Sequence, residues 1–160
     1  MPFDATPINY APQRDTQWSA VYRVFEDRSW LNSARNKLQE LSKLPENWNT
    51  YGSRPIQPEA IEVTAKLISD LIKLGMPEPH IFPVSGGGIQ LEWENSKCEL
   101  EIEVMPNKSI EYLVVDTEGE MHEGQLPQYN NFSDILPLTD WFIREKTSIN
   151  DLSNFYAPSF

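Results

Sequence analysis

The feature that most constrains the fold is the segment from Ile89 to Val104, where apolar and polar residues alternate on both sides of Asn95-Ser96. This alternation is typical of two half-buried strands joined by a tight turn, because successive side chains of a strand point to opposite faces. With Asn95-Ser96 as the two-residue loop, Glu92 is predicted to lie opposite Glu99. The predicted apolar face is Ile89, Leu91, Trp93, Cys98, Leu100, Ile102 and Val104. The predicted acidic face is Gln90, Glu92, Glu94, Glu99, Glu101 and Glu103.

Two segments before this hairpin have the three- and four-residue apolar spacing of amphipathic helices. We expect Pro45 to end the first helix, Pro58 to begin the second, and Gly75 to end the second with a left-handed cap. The predicted apolar stripes are Leu31, Ala34, Leu38 and Leu41 in the first helix, and Ile61, Ala65, Ile68 and Ile72 in the second, where Leu67 and Leu71 widen the stripe.

Further strands are predicted on either side of the hairpin. Pro83 confines residues 80–84 to a sheet edge. The denser apolar pattern of residues 110–115 favours cover on both faces or a central place in the sheet. A short strand ending at Glu123 and a C-terminal helix capped by Ser133 or Thr139 follow. The apolar positions of that helix are Ile135, Leu138, Trp141 and Phe142.

These elements predict one α+β domain over residues 1–160, with two helices packed on an antiparallel meander of about four strands. A short C-terminal helix and extended arms complete it. Its predicted parts are an arm (1–15), a helical pair (27–75), the meander (80–123), a helix (132–147) and a tail (148–160).

The charge of the chain restricts its partners. The net charge is −11, and residues 89–124 alone hold ten carboxylates against two lysines, a local net of −8. Such a surface repels nucleic acid and anionic lipid and attracts a basic protein surface. We therefore expect a basic protein partner and no direct nucleic-acid binding, and leave a homo-oligomer open. The chain shows no membrane-spanning run or signal sequence, and its single cysteine, Cys98, fits a reducing cytoplasm.

Two candidate binding sites follow. The first is the acidic face, where Glu92, Glu94, Glu99, Glu101 and Glu103 form a docking surface for a basic partner; the alternative is a solvated face that prevents aggregation.

The second candidate site is the loop containing Trp48, Asn49 and Tyr51, since tryptophan and tyrosine are enriched at interface hot spots. In the alternative interpretation, Trp48 fills a gap between the helices and the sheet.

The residues favour no catalytic, metal or cofactor site. Side chains on a flat strand pair do not converge as calcium or magnesium ligands do. Gly86-Gly-Gly88 precedes a strand and lacks the lysine of a phosphate-binding loop, and His80 and His122 lack zinc-ligand spacing. An enzyme would have to use His122 with Asp116 and neighbouring glutamates, without a recognisable nucleophile.

Part of the chain resembles a pattern found in small, uncharacterised bacterial proteins. The residues concerned are Leu44-Pro-x-x-Trp48-Asn-x-Tyr-Gly52, Pro55-x-x-Pro-Glu-Ala-Ile61 and Gly88-Ile-Gln-Leu-Glu-Trp93. The resemblance covers roughly residues 38–115. It implies a bacterial origin and a single unit of loop, second helix and hairpin, and it implies no activity.

Three functional hypotheses remain. The favoured one is a non-enzymatic protein-binding module of the antitoxin, inhibitor or accessory-subunit type. The alternatives are a structural subunit held in an assembly by its terminal arms, and a small hydrolase-like enzyme using His122 and nearby carboxylates.

Overall fold

A computed structural model describes residues 30–144, so the predicted arms at 1–15 and 148–160 lie outside the described residues. The helices are α1 (residues 30–42), α2 (Pro58–Lys73) and α3 (Phe132–Arg144). The strands are β1 (His80–Pro83), β2 (Ile89–Glu94), β3 (Glu99–Val104), β4 (Ile110–Val115) and β5 (Met121–Leu126).

The five strands form one antiparallel sheet in the order β1-β2-β3-β4-β5, so each strand pairs with its neighbour in sequence. This confirms the predicted α+β class. The meander has five strands because the segment predicted to end at Glu123 continues as a full strand to Leu126. The apolar face of the hairpin is buried throughout, and α2 packs against β2, β3 and α3. The helices therefore cover one face of the sheet, which we call the inner face.

The predicted register of the hairpin is wrong by two residues. Glu92 lies opposite Glu101, and Glu99 lies opposite Glu94. The two-residue loop is Ser96-Lys97, because the side-chain oxygen of Asn95 accepts hydrogen bonds from the backbone N–H groups of Lys97 (2.8 Å) and Cys98 (2.9 Å). This asparagine turn shifts the loop one position along the chain. A shift of two residues leaves every side chain on its predicted face.

Helix α2 begins at Pro58, as predicted, and the predicted stripe residues Leu67, Ile68 and Leu71 are buried, but the stripe departs from the prediction at other positions. Ala65 is exposed, whereas Ala60, Thr64 and Asp70 are buried. The helix turns Asp70 inward because the hydroxyl of Tyr129 donates a 2.6 Å hydrogen bond to its carboxylate. Burial, followed by this hydrogen bond, raises the pKa of the Tyr129 phenol above its ordinary value. The phenol therefore stays protonated and remains a donor.

The end of α2 and the start of α3 have clear capping geometry. Gly75 has φ +77°, which confirms the left-handed cap of α2. At the start of α3 the predicted caps Ser133 and Thr139 are wrong. The side chain of Asn131 accepts the N–H of Ser133 at 2.9 Å, and the carboxylate of Asp134 accepts the N–H of Asn131 at 3.2 Å. Asn131 is therefore the N-cap. The predicted apolar residues of α3, Ile135, Leu138, Trp141 and Phe142, are buried.

Candidate functional site

The candidate site is the side of the sheet that the described helices leave uncovered, which we call the outer face. Strand alternation and the four registers place fourteen side chains on it. Seven of them are glutamates, and none is lysine or arginine. The outer face consists of His80, Phe82, Gln90, Glu92, Glu94, Glu99, Glu101, Glu103, Glu111, Leu113, Val115, Met121, Glu123 and Gln125.

Three pairs of these glutamates lie directly opposite each other on neighbouring strands. The pairs are Glu94 with Glu99, Glu92 with Glu101, and Glu103 with Glu111. Like charges in such positions destabilise a sheet by a few tenths of a kcal/mol or more. The predicted repulsion is therefore present, although its members differ from the predicted pair. All five glutamates predicted as the binding surface lie on this face.

A glutamine organises the centre of the acidic cluster. The side-chain amide of Gln90 donates to one carboxylate oxygen of Glu92 at 2.7 Å and to one of Glu101 at 3.3 Å. These two bonds hold the carboxylates of adjacent strands beside each other and offset part of their mutual repulsion.

Two carboxylates of the outer face have raised pKa values. Burial, followed by the charges of Glu92 and Glu99, raises the pKa of Glu101. Burial, followed by the charges of Glu111 and Glu101, raises the pKa of Glu103. The ionised forms of Glu101 and Glu103 are therefore less stable in the folded chain than in water.

Apolar side chains border the glutamates on both sides, and sequence reasoning missed them. On β1, Phe82 is 44% exposed, with its ring centroid 6.3 Å from that of His80. On the other side, Met121 is 64% exposed, and Leu113 and Val115 are half-buried. Of the two explanations predicted for the dense apolar pattern of β4, a second covering layer is absent among the described residues, whereas β4 does lie inside the sheet, between β3 and β5. In the sequence, Glu111, Leu113 and Val115 alternate with residues that are buried. This alternation could have predicted that Leu113 and Val115 share the outer face with Glu111.

A shallow cleft of ≈ 470 Å³ crosses the outer face between β2 and β5. Its walls are mainly carboxylates and amides, including Glu101, Glu103, Glu111 and Glu123. Over residues 30–144, no group of three or more histidine, cysteine, aspartate or glutamate side chains has the geometry to hold a metal ion. The outer-face side chains point outward in parallel and do not converge on one point. Because of its carboxylates, the cleft presents negative charge to a ligand.

The second predicted site, with Trp48, Asn49 and Tyr51, is a tightly bonded loop. The indole N–H of Trp48 donates to the carbonyl of Arg54 at 3.0 Å. The side-chain oxygen of Asn49 accepts the N–H of Tyr51 at 2.9 Å and that of Ser53 at 3.3 Å. Asn49 is therefore a structural residue of the loop, and half-buried Trp48 stabilises it from within.

Of the three residues of the predicted site, Tyr51 is the exposed one, with 90% of its surface exposed. The loop is anchored at the β1–β2 turn, where Ser85 accepts the N–H of Arg54 at 3.0 Å. Among the described residues, no hydrogen bond or ion pair joins the loop to the glutamates of the outer face. The structure thus presents the two predicted sites as separate surfaces.

The histidine of the enzyme hypothesis lies on the inner face of β5. His122 is opposite Val114, and its ring centroid is 6.4 Å from that of Tyr112. The carboxylate of Asp116 accepts the N–H groups of Glu118 and Glu120, each at 2.9 Å, and so closes the β4–β5 turn. In the described part of the chain, no carboxylate lies within hydrogen-bonding or ion-pair distance of His122. The structure therefore does not assemble this constellation.

Comparison with known proteins adds no relative. No family model, no curated protein and no solved structure matches this chain. The resemblance of the Trp48 loop and the β2 strand to small bacterial proteins stays a prediction. Within residues 30–144, no helix has the length and apolarity needed to span a bilayer.

Proposed function

We propose that this chain is a non-enzymatic module that binds a basic surface of another protein through its outer face. The observation that carries the proposal is the row of directly opposed glutamates across β2, β3 and β4, with no lysine or arginine among them. A partner that brings lysine or arginine side chains between these carboxylates replaces their repulsion with attraction.

Apolar residues at the borders of the outer face can supply the affinity that charge alone does not provide. Charge complementarity raises the association rate and selects the partner, whereas buried apolar contacts provide most of the affinity. Phe82 and Met121 are exposed on opposite sides of the glutamates and are available for such contacts. Tyr51, on its separate loop, offers a further aromatic anchor.

This mode of binding suits an antitoxin-like protein, an inhibitor or an accessory subunit that covers a basic site on its partner. A bacterial cytoplasm, which the resemblance and the single cysteine imply, belongs to the same proposal. The alternative of a structural subunit held by its arms depends on residues outside 30–144.

The test is a charge reversal on the outer face with a matched control. Glu92, Glu99 and Glu101 are changed together to lysine, and the control changes Glu40, Glu46 and Glu62 to lysine. These three are exposed positions on α1, on the loop after it and on α2. Both triple variants change the net charge equally. Partners are captured from the native host at low salt and identified by mass spectrometry, with urea unfolding to confirm folding.

We expect the outer-face variant to lose a basic partner that the parent and the control retain. Retention of that partner by the outer-face variant would contradict the proposal. Equal loss from both triple variants would also contradict it, because binding would then depend on net charge and not on the outer face.

A further inference from the structure

The two edge strands of the sheet differ in the backbone groups that they present. At the β4–β5 turn, the N–H of Asp116 donates to the carbonyl of Glu120 at 3.0 Å. In an antiparallel ladder, bonded pairs then recur at every second residue. His122, Gly124 and Leu126 therefore bond to β4. The N–H and C=O groups of the residues between them, Met121, Glu123 and Gln125, point to the open edge.

The same argument shows that β1 is a blocked edge. The N–H of Val84 donates to the carbonyl of Gly88 at 3.0 Å, so His80 and Phe82 bond to β2. The outward positions are Ile81 and Pro83, with Pro79 just before the strand. Proline has no N–H, so this edge offers one outward donor within the strand. Helix α1 also lies near this edge, since its residues share a cleft with residues 78–82.

Strand β5 has none of these protections. It is six residues long and contains neither proline nor lysine, which are the usual means of blocking an edge. In the part of the chain that the structure describes, no strand pairs with its outer side. All three of its outward residues carry an N–H group. This edge is therefore a template for one more strand.

We propose that β5 binds an extended segment of the partner by antiparallel strand addition, and that lysine or arginine alternates with apolar residues in this segment. Residues opposite Met121, Glu123 and Gln125 would place their side chains on the outer face. Glu123 lines the cleft of the outer face together with Glu101, Glu103 and Glu111, so a basic residue opposite Glu123 gains the attraction of several carboxylates. The alternate residues would extend the apolar inner face beside Gly124 and Leu126.

Charge complementarity selects this occupant over a second copy of the chain. Pairing of β5 with β5 of another copy would align two outer faces that each carry seven glutamates, between molecules of net charge −11. The inference rests on the proposed function for the sign of the partner's charge. The availability of the edge rests on the backbone geometry alone.

The probe is a synthetic peptide of about eight residues in which lysine and valine alternate, a length that matches one strand. In the added strand the lysine residues form the hydrogen bonds to β5, and the valine N–H groups point away. Methylation of the lysine backbone nitrogens should therefore weaken binding by about tenfold or more, because several hydrogen bonds are lost. The valine-methylated peptide has the same charge and should retain most of the affinity.

Amide hydrogen exchange locates the bound peptide. In the free protein, the amides of Met121, Glu123 and Gln125 should exchange rapidly, while those of His122 and Gly124 are protected by β4. The unmodified peptide should slow the first three by about tenfold or more and leave the other two unchanged. Gln125→Pro removes one outward donor without removing a bond to β4 and should weaken binding, whereas Gln125→Ala should not.

The outcomes separate this inference from the proposed function. If both methylated peptides bind as well as the parent peptide, the edge inference is overturned, and charge-driven binding to the outer face stands. If the peptide binds without slowing exchange at the three outward amides, the same conclusion holds. If no peptide binds at low salt, both proposals fail. A protein dimer with mutual protection of β5 in the absence of peptide would overturn the choice of occupant.

Discussion

Because Gly124 has no side chain, the ring of Tyr112 on the neighbouring strand can pack directly over it. They lie opposite each other on β4 and β5, and the aromatic ring of Tyr112 crosses directly over Gly124. A Cβ atom at position 124 would overlap the hydroxyl and ring atoms of the tyrosine. The ring is buried, with 4% of its surface exposed, so it has little room to move. Glycine at 124 therefore permits the tyrosine to close the inner face.

We predict that Gly124→Ala lowers the free energy of unfolding by about 1–3 kcal/mol, because the displaced Tyr112 ring must repack. Urea unfolding followed by tryptophan fluorescence measures the change. The matched control is Gly86→Ala, where an added Cβ meets no atom within 4 Å and should cost little. Equal effects of the two substitutions would show that backbone entropy, and not the Tyr112 contact, determines the cost.

At the scale of the element, the hairpin of β2 and β3 combines a stabilising inner face with a repulsive outer face. Its inner side chains are among the most buried of the chain, whereas its outer carboxylates oppose each other in two pairs. Those two pairs are of the type without direct backbone hydrogen bonds, in which opposing side chains approach more closely. The hairpin thus keeps its register through burial and the Asn95 turn, despite the charge on its other face.

We predict that the double substitution of Glu101 and Glu103 by glutamine stabilises the folded chain at neutral pH. The pKa of each group is raised on folding, chiefly by burial, so the ionised forms are less favourable in the folded than in the unfolded chain. This destabilisation is fully present above the folded pKa. It is relieved as the pH falls through the folded pKa to the unfolded value.

The measurement is urea unfolding of the parent and the double variant between about pH 7 and pH 4. The advantage of the variant should be largest at neutral pH and should shrink toward the acidic end of this range. Glu46→Gln, at an exposed loop position away from the sheet, is the control. A constant advantage over the whole range would mean that the carboxylate charges are not its cause.

In the whole molecule, the negative charge of the described residues is concentrated on the sheet. The outer face carries seven glutamates and neither lysine nor arginine, whereas the four basic residues of α1 and α2 are balanced by four acidic ones. A field of this shape orients a basic partner toward the sheet before contact, and dissolved salt screens it.

We predict that the association rate of the alternating lysine–valine peptide falls by about tenfold or more between about 0.02 M and 0.3 M salt, because screening removes the steering. The dissociation rate should change less. Stopped-flow fluorescence measures both rates. The variant with Glu40, Glu46 and Glu62 reversed should keep this salt dependence, and the variant with Glu92, Glu99 and Glu101 reversed should lose most of it. An equal salt slope in the two variants would refute steering by the outer face.

Local sequence patterns were sufficient to predict the class of the fold, the faces of the hairpin and the ends of α2. Alternation of polarity assigns side chains to faces whichever register the strands adopt, because a strand repeats every two residues. Proline and glycine set helix ends locally, as Pro58 and Gly75 do, because their effects act through their own backbone angles.

Which charges meet, why Asp70 is buried and which sheet edge is open became apparent only in the folded structure. The register depended on the side-chain bonds of Asn95, and the burial of Asp70 depended on Tyr129, which is 59 residues away along the chain. The turn between β4 and β5 sets which residues of β5 bond to β4, and therefore which of its N–H and C=O groups point to the open edge. The Asn95 turn is local, but a hydropathy pattern does not record which side chain bonds to the backbone of a turn. The contact of Asp70 with Tyr129 joins residues that only folding brings together.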